Sequence, residues 1–268
     1  MSPSSPSGRE TGALPGPAPF ALRPIGVVRS TIRERKAMRS LGAPASIEIL
    51  PPYRSALYRL EKHTHIWVLA WLDQAERDVL QVTPRGVADR GPGGLHGVFA
   101  VRSPARPNPI GLTATRILAL REDALDVAQL DFLDGTPVID LKPYFVTRDA
   151  ILAANNAAIG RPISREALRE SLLLQAVNYH GERCRELALA VRMVEDFRAT
   201  RFDLADPPSW HVRVPASRPC LADAVIGMTR ATPGRRSLIS GEGCAVEFHH
   251  ADAVWAYTPH EPLPGEAG

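Results

Sequence analysis

A change of texture near residue 148 narrows the folds open to this chain more than any other feature. Between residues 20 and 147 the apolar positions come in short β-type runs, broken by Pro, Gly and Asp at turn-like positions. The runs cover residues 25–30, 46–50, 65–71, 79–83, 97–101, 112–120 and 125–131. Only residues 53–60 carry a helical pattern. Many short strands with a single helix predict a closed or nearly closed β-barrel, so the first domain is expected over residues 20–147. From residue 148 Ala, Leu, Glu and Arg recur at helical spacing, which predicts a second, α+β domain over 148–260. There Ser164 is placed to cap a helix whose Leu168, Leu172 and Ala176 share one face. A following helix over 181–199 puts Cys184, Leu187, Val191 and Val194 on a stripe. Short strands and a helix over 221–228 complete the domain. Residues 1–19, rich in Pro, Ser and Gly, read as a flexible leader, and 261–268 as a flexible tail.

The chain has 268 residues, 44% of them apolar and 23% charged, enough to bury a sizeable core and too apolar for disorder throughout. A formal charge of +3 permits a nucleic-acid partner without implying one. No run approaches the roughly 18 apolar residues of a membrane span, and no secretory signal opens the chain, so a cytoplasmic protein without a membrane partner is expected. Cys184, Cys220 and Cys244 are too few and too dispersed for a disulfide framework.

Chemistry concentrates in two runs of the first domain. Gly97-Val-Phe-Ala-Val-Arg102-Ser103-Pro104-Ala-Arg106-Pro107-Asn108-Pro109-Ile-Gly111-Leu112 holds two guanidinium groups on a loop that its prolines stiffen. Such a loop is suited to hold an anion in fixed orientation. Asp131-Phe132-Leu133-Asp134-Gly135-Thr136-Pro137-Val-Ile-Asp140-Leu-Lys142-Pro143-Tyr144 contains the turn Asp134-Gly-Thr-Pro137 and more carboxylates than a turn needs; these could accept from hydroxyl or ammonium groups, and one could act as a base. His63 and His65, two residues apart, would face one side of a strand. Neither a P-loop nor a strand followed by G-x-G-x-x-G occurs, so a nucleotide-like cofactor would be held in a non-Rossmann manner. In the second domain His180 and Cys184 are four residues apart and Cys220 opens the next helix. Together they are candidate ligands for zinc or another late transition metal, although a Cys heading an apolar stripe is more often a packed small hydrophobe.

Pro24-Ile-Gly-Val-Val-Arg-Ser30, His63-Thr64-His65-Ile-Trp67, the Arg102-Ser-Pro-Ala-Arg-Pro-Asn-Pro-Ile-Gly-Leu112 string and Asp134-Gly-Thr-Pro-Val-Ile-Asp-Leu-Lys-Pro-Tyr144 resemble, in order and spacing, the motifs of the TsaA/TrmO family over residues 22–146. The resemblance implies a small β-barrel that binds S-adenosylmethionine, a homodimer, and methylation of N6 of threonylcarbamoyladenosine at position 37 of tRNA. It implies methyl-donor contacts at Thr64, His65, Arg102, Leu112 and the segment Asp131, Phe132, Leu133, Asp134. Met38, Arg39 and Ser40 would contribute as well, where the family more often reads P-R-Q. Arg102 would pair with the methionyl carboxylate, and Asp134 would take the proton from the acceptor nitrogen. Arg106 beside Asn108 would hold the carboxylate of a threonylated base.

Tyr179-His180-Gly181-Glu182-Arg183-Cys184-Arg185-Glu186-Leu-Ala-Leu-Ala-Val-Arg-Met193, with Cys220-Leu-Ala-Asp-Ala224 and Thr232-Pro-Gly-Arg-Arg-Ser-Leu238, resembles an FmdE-like domain over residues 165–250. Glu182 stands where that family has His, Arg185 where it has Pro, and Ala231 where it has Cys. Three functions remain open at this point: a tRNA methyltransferase, a methyltransferase whose small or metal-linked acceptor is presented by the second domain, and a non-enzymatic S-adenosylmethionine-binding module.

Overall fold

A computed structural model describes residues 21–258 apart from Asn155; the expected leader and tail lie outside the described residues. Six antiparallel strands close a barrel in the order β1 (Gly26–Ser30), β2 (Ala43–Ile49), β7 (Ala124–Leu130), β6 (Ile110–Leu120), β3 (His65–Trp71) and β8 (Pro137–Pro143). Alternation decides what each strand buries. In β3, Ile66, Val68 and Ala70 point inward and are fully buried, while His65, Trp67, Leu69 and Trp71 stand on the outer face. Val28, Ile47, Leu125, Val127, Leu130 and Val138 fill the same core from the other strands.

Three expectations change. Residues 53–60 fall across two 3-10 segments, Pro51–Leu57 and Leu60–Lys62, joined by a turn at Tyr58 and Arg59, instead of an α-helix. Only Leu57 of these is buried, with Tyr53 and Leu60 packed partly buried beside it against the barrel core, an apolar face too short to sustain an α-helix. The runs at 79–83 and 97–101 shrink to β4 (Gln81–Val82) and β5 (His96–Gly97), which pair with each other outside the barrel. Leu80 and Phe99 remain exposed there, because no sheet face covers them. Finally, the turn expected at Asp134-Gly-Thr-Pro137 is followed by a strand, β8, that lies outside the β-type runs of the sequence. Prolines at both ends and an outer Asp140–Lys142 ion pair of 2.6 Å mask it, and within it only Val138 is buried.

After a short α1 (Val146–Asp149), the second unit is α+β. It holds α2 (Arg165–His180), α3 (Arg185–Arg201), β9 (His211–Pro215), α4 (Pro219–Thr229), β10 (Leu238–Gly241), β11 (Val246–His250) and β12 (Ala253–Tyr257). The sheet order is β10-β9-β11-β12, with β9 and β10 parallel and the other pairs antiparallel. Ser164 caps α2 by accepting from the Ala167 amide at 3.1 Å, and Leu168, Leu172 and Ala176 are buried along its inner face. Phe197 of α3 anchors the core, its ring stacked on Phe248 at 4.7 Å and flanked by Phe202, Trp210 and Trp255. The second unit thus has its own core, distinct from that of the barrel. No helix among the described residues is long and apolar enough to cross a membrane.

One carboxylate, Glu195, is carried into this core at 1% exposure. It accepts from Arg165 Nε at 2.6 Å and from Arg169 Nε at 2.5 Å and Nη2 at 3.0 Å. Burial works to raise its carboxyl, but the hydrogen bonds and charges of Arg169 and Arg165 outweigh burial and hold it below the usual carboxylate range. A carboxyl depressed on folding contributes stability above its unfolded value, and that contribution is lost as pH falls through the folded value. Glu195→Gln is therefore expected to cost about 1–2 kcal/mol near neutral pH, discounted because both guanidiniums face water. It should also flatten the decline in stability below about pH 4.5. Urea titrations between pH 3 and 7 check this; a variant that tracks wild type throughout refutes it.

Candidate functional site

The strand register gathers the unusual residues of the barrel. Ser30 pairs with Ala45, Ala43 with Leu130, Trp71 with Ile110 and Val27 with Pro137. The end of β1, start of β2, end of β3, start of β6, end of β7 and start of β8 therefore share one rim. The connections at that rim carry Met38, Arg39 and Ser40, the Arg102 loop, and Asp131 to Asp134.

At the start of β6, Arg102 is exposed and donates from Nη1 to the Leu112 carbonyl at 3.3 Å. The next residue, Thr113, donates its hydroxyl to Asp131 Oδ1. A guanidinium and a carboxylate thus flank one strand start, each with polar atoms left for a ligand. Thr113 escapes sequence reasoning, since only the pairing of β6 with β7 reveals its role. Gly111 is glycine for a packing reason: a Cβ there would come within 2.4 Å of the Phe132 ring. That ring is a core group at 3% exposure, so Phe132, expected as a donor contact, can offer a ligand only its backbone. Leu133 is half-buried beside it.

Asp134 fastens the turn. Its Oδ1 accepts from the Ser30 amide at 3.1 Å, its own amide donates to the Ile32 carbonyl at 2.8 Å, and Oδ2 lies 3.6 Å from Arg33 Nε. It also borders a surface depression of about 630 Å³ shared with Arg29, Arg33, Ser46 and Asp126. Arg106 braces its own loop, with Nε bound to the Ser103 carbonyl at 2.8 Å and Nη2 to those of Val98 and Val101 at 2.9 and 2.6 Å. Only Nη1 lies outside these three bonds. Asn108 is exposed, and its carbonyl accepts from the Ile110 amide at 2.7 Å. In the β1–β2 connection Met38 accepts from Arg85 through its carbonyl at 3.1 Å, Arg39 pairs with Glu170 of α2 at 3.7 Å, and Ser40 is exposed.

Thr64 and His65 sit apart from this group. His65 opposes Arg116 and Leu69 opposes Leu112 on the β3–β6 ladder, so His65 lies four pairs away, about 13 Å, on the same outer face. Outward-facing Trp67 and Leu69 connect the two positions, a strip that the alternation of β3 could have disclosed. Thr64 Oγ1 contacts His65 Nδ1 at 2.9 Å. Burial, together with the Arg116 charge, lowers the His65 pKa, so its imidazole is neutral near pH 7. His63 stays outside any ligand cluster, its ring meeting Phe145 edge-on at 5.6 Å.

Among the described residues one group has metal-ligand geometry, formed by His180, Cys184 and Cys220, whose ligand atoms all lie within 4.8 Å of one another. The expected helix over 181–199 starts instead at Arg185, so His180 and Cys184 do not meet along a single helix. His180 ends α2, Gly181 at φ 96° stops it, and Cys184 caps α3, its Sγ accepting from the Leu187 amide at 3.4 Å. Cys220 follows Pro219 in the first turn of α4. Burial and the neighbouring Cys184 sulfur push the Cys220 thiol up. His180 Nδ1 lies 3.2 Å from Asp223 Oδ2, and its Nε2 lies 3.5 Å from Cys184 Sγ.

Comparison with known proteins bears on the barrel most directly. Residues 31–150 match the family described as tRNA-methyltransferase O N-terminal domain, TrmO_N. A protein of Methanothermobacter thermautotrophicus named "Probable S-adenosyl-L-methionine-binding protein" is 46% identical over 134 residues, which cover 48% of this chain and 93% of that protein. The chain belongs to the TrmO_N family. An Archaeoglobus fulgidus protein of the same name is 37% identical over 228 residues, covering 81% of this chain, so that similarity runs past the TrmO barrel into the second unit. The chain spans 60% of the length of this relative. A crystal structure of TrmO from Pseudomonas aeruginosa aligns with a TM-score of 0.45 at 32% identity, over 55% of this chain and 66% of that one.

Proposed function

We propose that this TrmO-family chain binds S-adenosylmethionine at the Arg102 rim and methylates N6 of threonylcarbamoyladenosine at position 37 of tRNA. The observation that carries the reading is the pairing of an exposed guanidinium with an exposed carboxylate across the start of β6, within the segment that matches the family. Arg102 has donors to spare for a carboxylate, Asp131 has an oxygen to spare for a hydroxyl or ammonium group, and Leu112 with Leu69 offers an apolar wall. These groups fit the charged and apolar parts of the methyl donor. When bound, that donor supplies a methyl group already activated by its sulfonium, so the protein's share of the chemistry is alignment.

Asp134 is suited to receive the proton of the acceptor nitrogen on Oδ2, because the Ser30 amide holds Oδ1 in place. Arg106 Nη1 and the neighbouring Asn108 amide are the groups nearest in sequence for a carboxylate on the acceptor. Homodimer formation belongs to the same proposal. Thr64 and His65 are about 13 Å from Leu112 along one face, and a second copy laid on that face would complete the donor contacts.

Mass spectrometry of tRNA nucleosides tests the acceptor. A strain lacking the gene should lose the methylated, threonylated adenosine and regain it from a plasmid copy; persistence of that nucleoside in a strain with no second copy defeats the tRNA assignment. A small or metal-linked acceptor is the second reading, favoured by the His180, Cys184 and Cys220 cluster.

A further inference from the structure

Two lines of contact from the second unit end on neighbouring residues of the barrel, and we propose that this unit is a buttress for the methyl-donor site, holding Met38 and Arg39 of the β1–β2 connection in place. The inference rests on the donor site proposed at the Arg102 rim and adds positioning residues to it: Arg85, Gly160 and Glu170. The connection itself is weakly anchored. No residue of its 3-10 segment, Arg35–Ala37, is buried. From Glu34 to Gly42 its amides bond within the connection, Ala37 to Glu34 at 3.0 Å, Met38 to Arg35 at 3.3 Å and Gly42 to Arg39 at 3.1 Å. A segment with so few buried contacts takes its position from what leans on it.

The first line runs through the loop between β4 and β5. Arg85 donates from Nη1 to the Met38 carbonyl at 3.1 Å, and among the described residues this is the only bond that reaches the backbone of residues 34–40 from outside the connection. The next residue, Gly86, lies backbone to backbone against the segment that leads into α2. Arg161 donates its amide to the Gly86 carbonyl at 3.2 Å. A Cβ on Gly160 would come within 2.8 Å of the Gly86 carbonyl carbon, and one on Gly86, where φ is +84°, within 2.2 Å of the Arg161 carbonyl oxygen. Glycine at both positions permits that approach. The segment is fixed to the second unit in turn. Arg161 pairs with Asp203 beyond α3, and Arg230 at the end of α4 donates to the Ala154 carbonyl at 3.0 Å.

The second line is direct. Glu170, in the first half of α2, lies 3.7 Å from Arg39, the residue after Met38. An ion pair facing water is worth little alone, so this contact is the weaker of the two. What gives them meaning is convergence: the segment before α2 and α2 itself end on consecutive residues at the rim that carries Arg102 and Asp131. When the first line is cut, the connection is free to wander and the donor must order it on binding, which lowers affinity. Coupling of this kind is reciprocal, so a bound donor steadies the Arg161 amide.

Hydrogen exchange read by mass spectrometry, and calorimetric titration with S-adenosylmethionine, test the buttress on the full chain. Gly160→Val and Arg85→Ala should each speed exchange in residues 33–42, leave the barrel strands as in wild type, and lower donor affinity by about fivefold or more. The double variant should be no weaker than the more affected single one, because both changes cut the same line. Glu170→Gln, on the other line, should lower affinity by no more than about fivefold. In wild type, saturating donor should slow exchange around Arg161. Unchanged exchange in residues 33–42 in both variants overturns the buttress and leaves the donor site standing, as does faster exchange with unaltered donor affinity. Failure of wild type to bind the donor overturns the donor site instead, and the exchange results still decide whether the second unit holds the connection. Circular dichroism verifies folding, and the exposed Arg85 supplies the variant that remains should Gly160→Val unfold.

Discussion

Arg102→Ala is expected to lower affinity for S-adenosylmethionine by about 10- to 100-fold while leaving the barrel as stable as wild type. A hydrogen bond to a charged partner is worth about 1.5–3 kcal/mol, and each 1.4 kcal/mol is tenfold in affinity. The side chain is exposed and its one bond within the barrel, to the Leu112 carbonyl at 3.3 Å, is at a strand start, so little folding energy depends on it. Calorimetric titration of wild type and variant reads the affinity, and urea denaturation reads the stability. Equal affinities would remove Arg102 from the donor site. A parallel fall in stability would show that its work is structural.

Phe197→Ala should have the largest effect on folding, about 3–5 kcal/mol from a fully buried aromatic side chain. Its ring is 1% exposed and meets Phe202, Trp210, Phe248 and Trp255, so truncation opens a cavity that four neighbouring rings cannot all close. The four tryptophans divide evenly, Trp67 and Trp71 in β3 and Trp210 and Trp255 in the second unit. In urea, the fluorescence change from Trp210 and Trp255 should move to lower denaturant in the variant. A midpoint within error of wild type would contradict the packing described for α3 and β11.

Where one kind of signal dominated, the sequence was legible. Residues 65–71 are an unbroken apolar run after His65, rich in aromatic and aliphatic residues, and the strand occupies those residues. The Ser164 cap with the Leu168, Leu172 and Ala176 face holds as a helix for the same reason, since a 3.6-residue period and a capping hydroxyl agree. β8 was missed because Pro137, Asp140, Lys142 and Pro143 leave no apolar β-type run, while the pairing that makes the strand comes from β1 and β3, remote in sequence. Residues 97–101 failed in the opposite direction, because apolar composition without a covering face does not make a strand. At the rim, Arg102, Leu112 and Asp131 could be named from their motifs, but the hydroxyl of Thr113 and the bracing bonds of Arg106 exist only through tertiary contacts. The His180, Cys184 and Cys220 group of the second unit was readable as residues, but the helix expected from Gly181 begins only at Arg185, so Cys184 stands at its cap and not within its first turn.

Closure of the barrel has a consequence for how the chain is made. β1 completes the ring by pairing Gly26 with Val138 and Val27 with Pro137. Partners so far apart in sequence must pay the entropy of a long loop before they gain a contact. On the ribosome, β1 waits with an unsatisfied edge until β8 has left the exit tunnel, and nascent barrels on crowded polysomes are exposed to strand exchange during that interval.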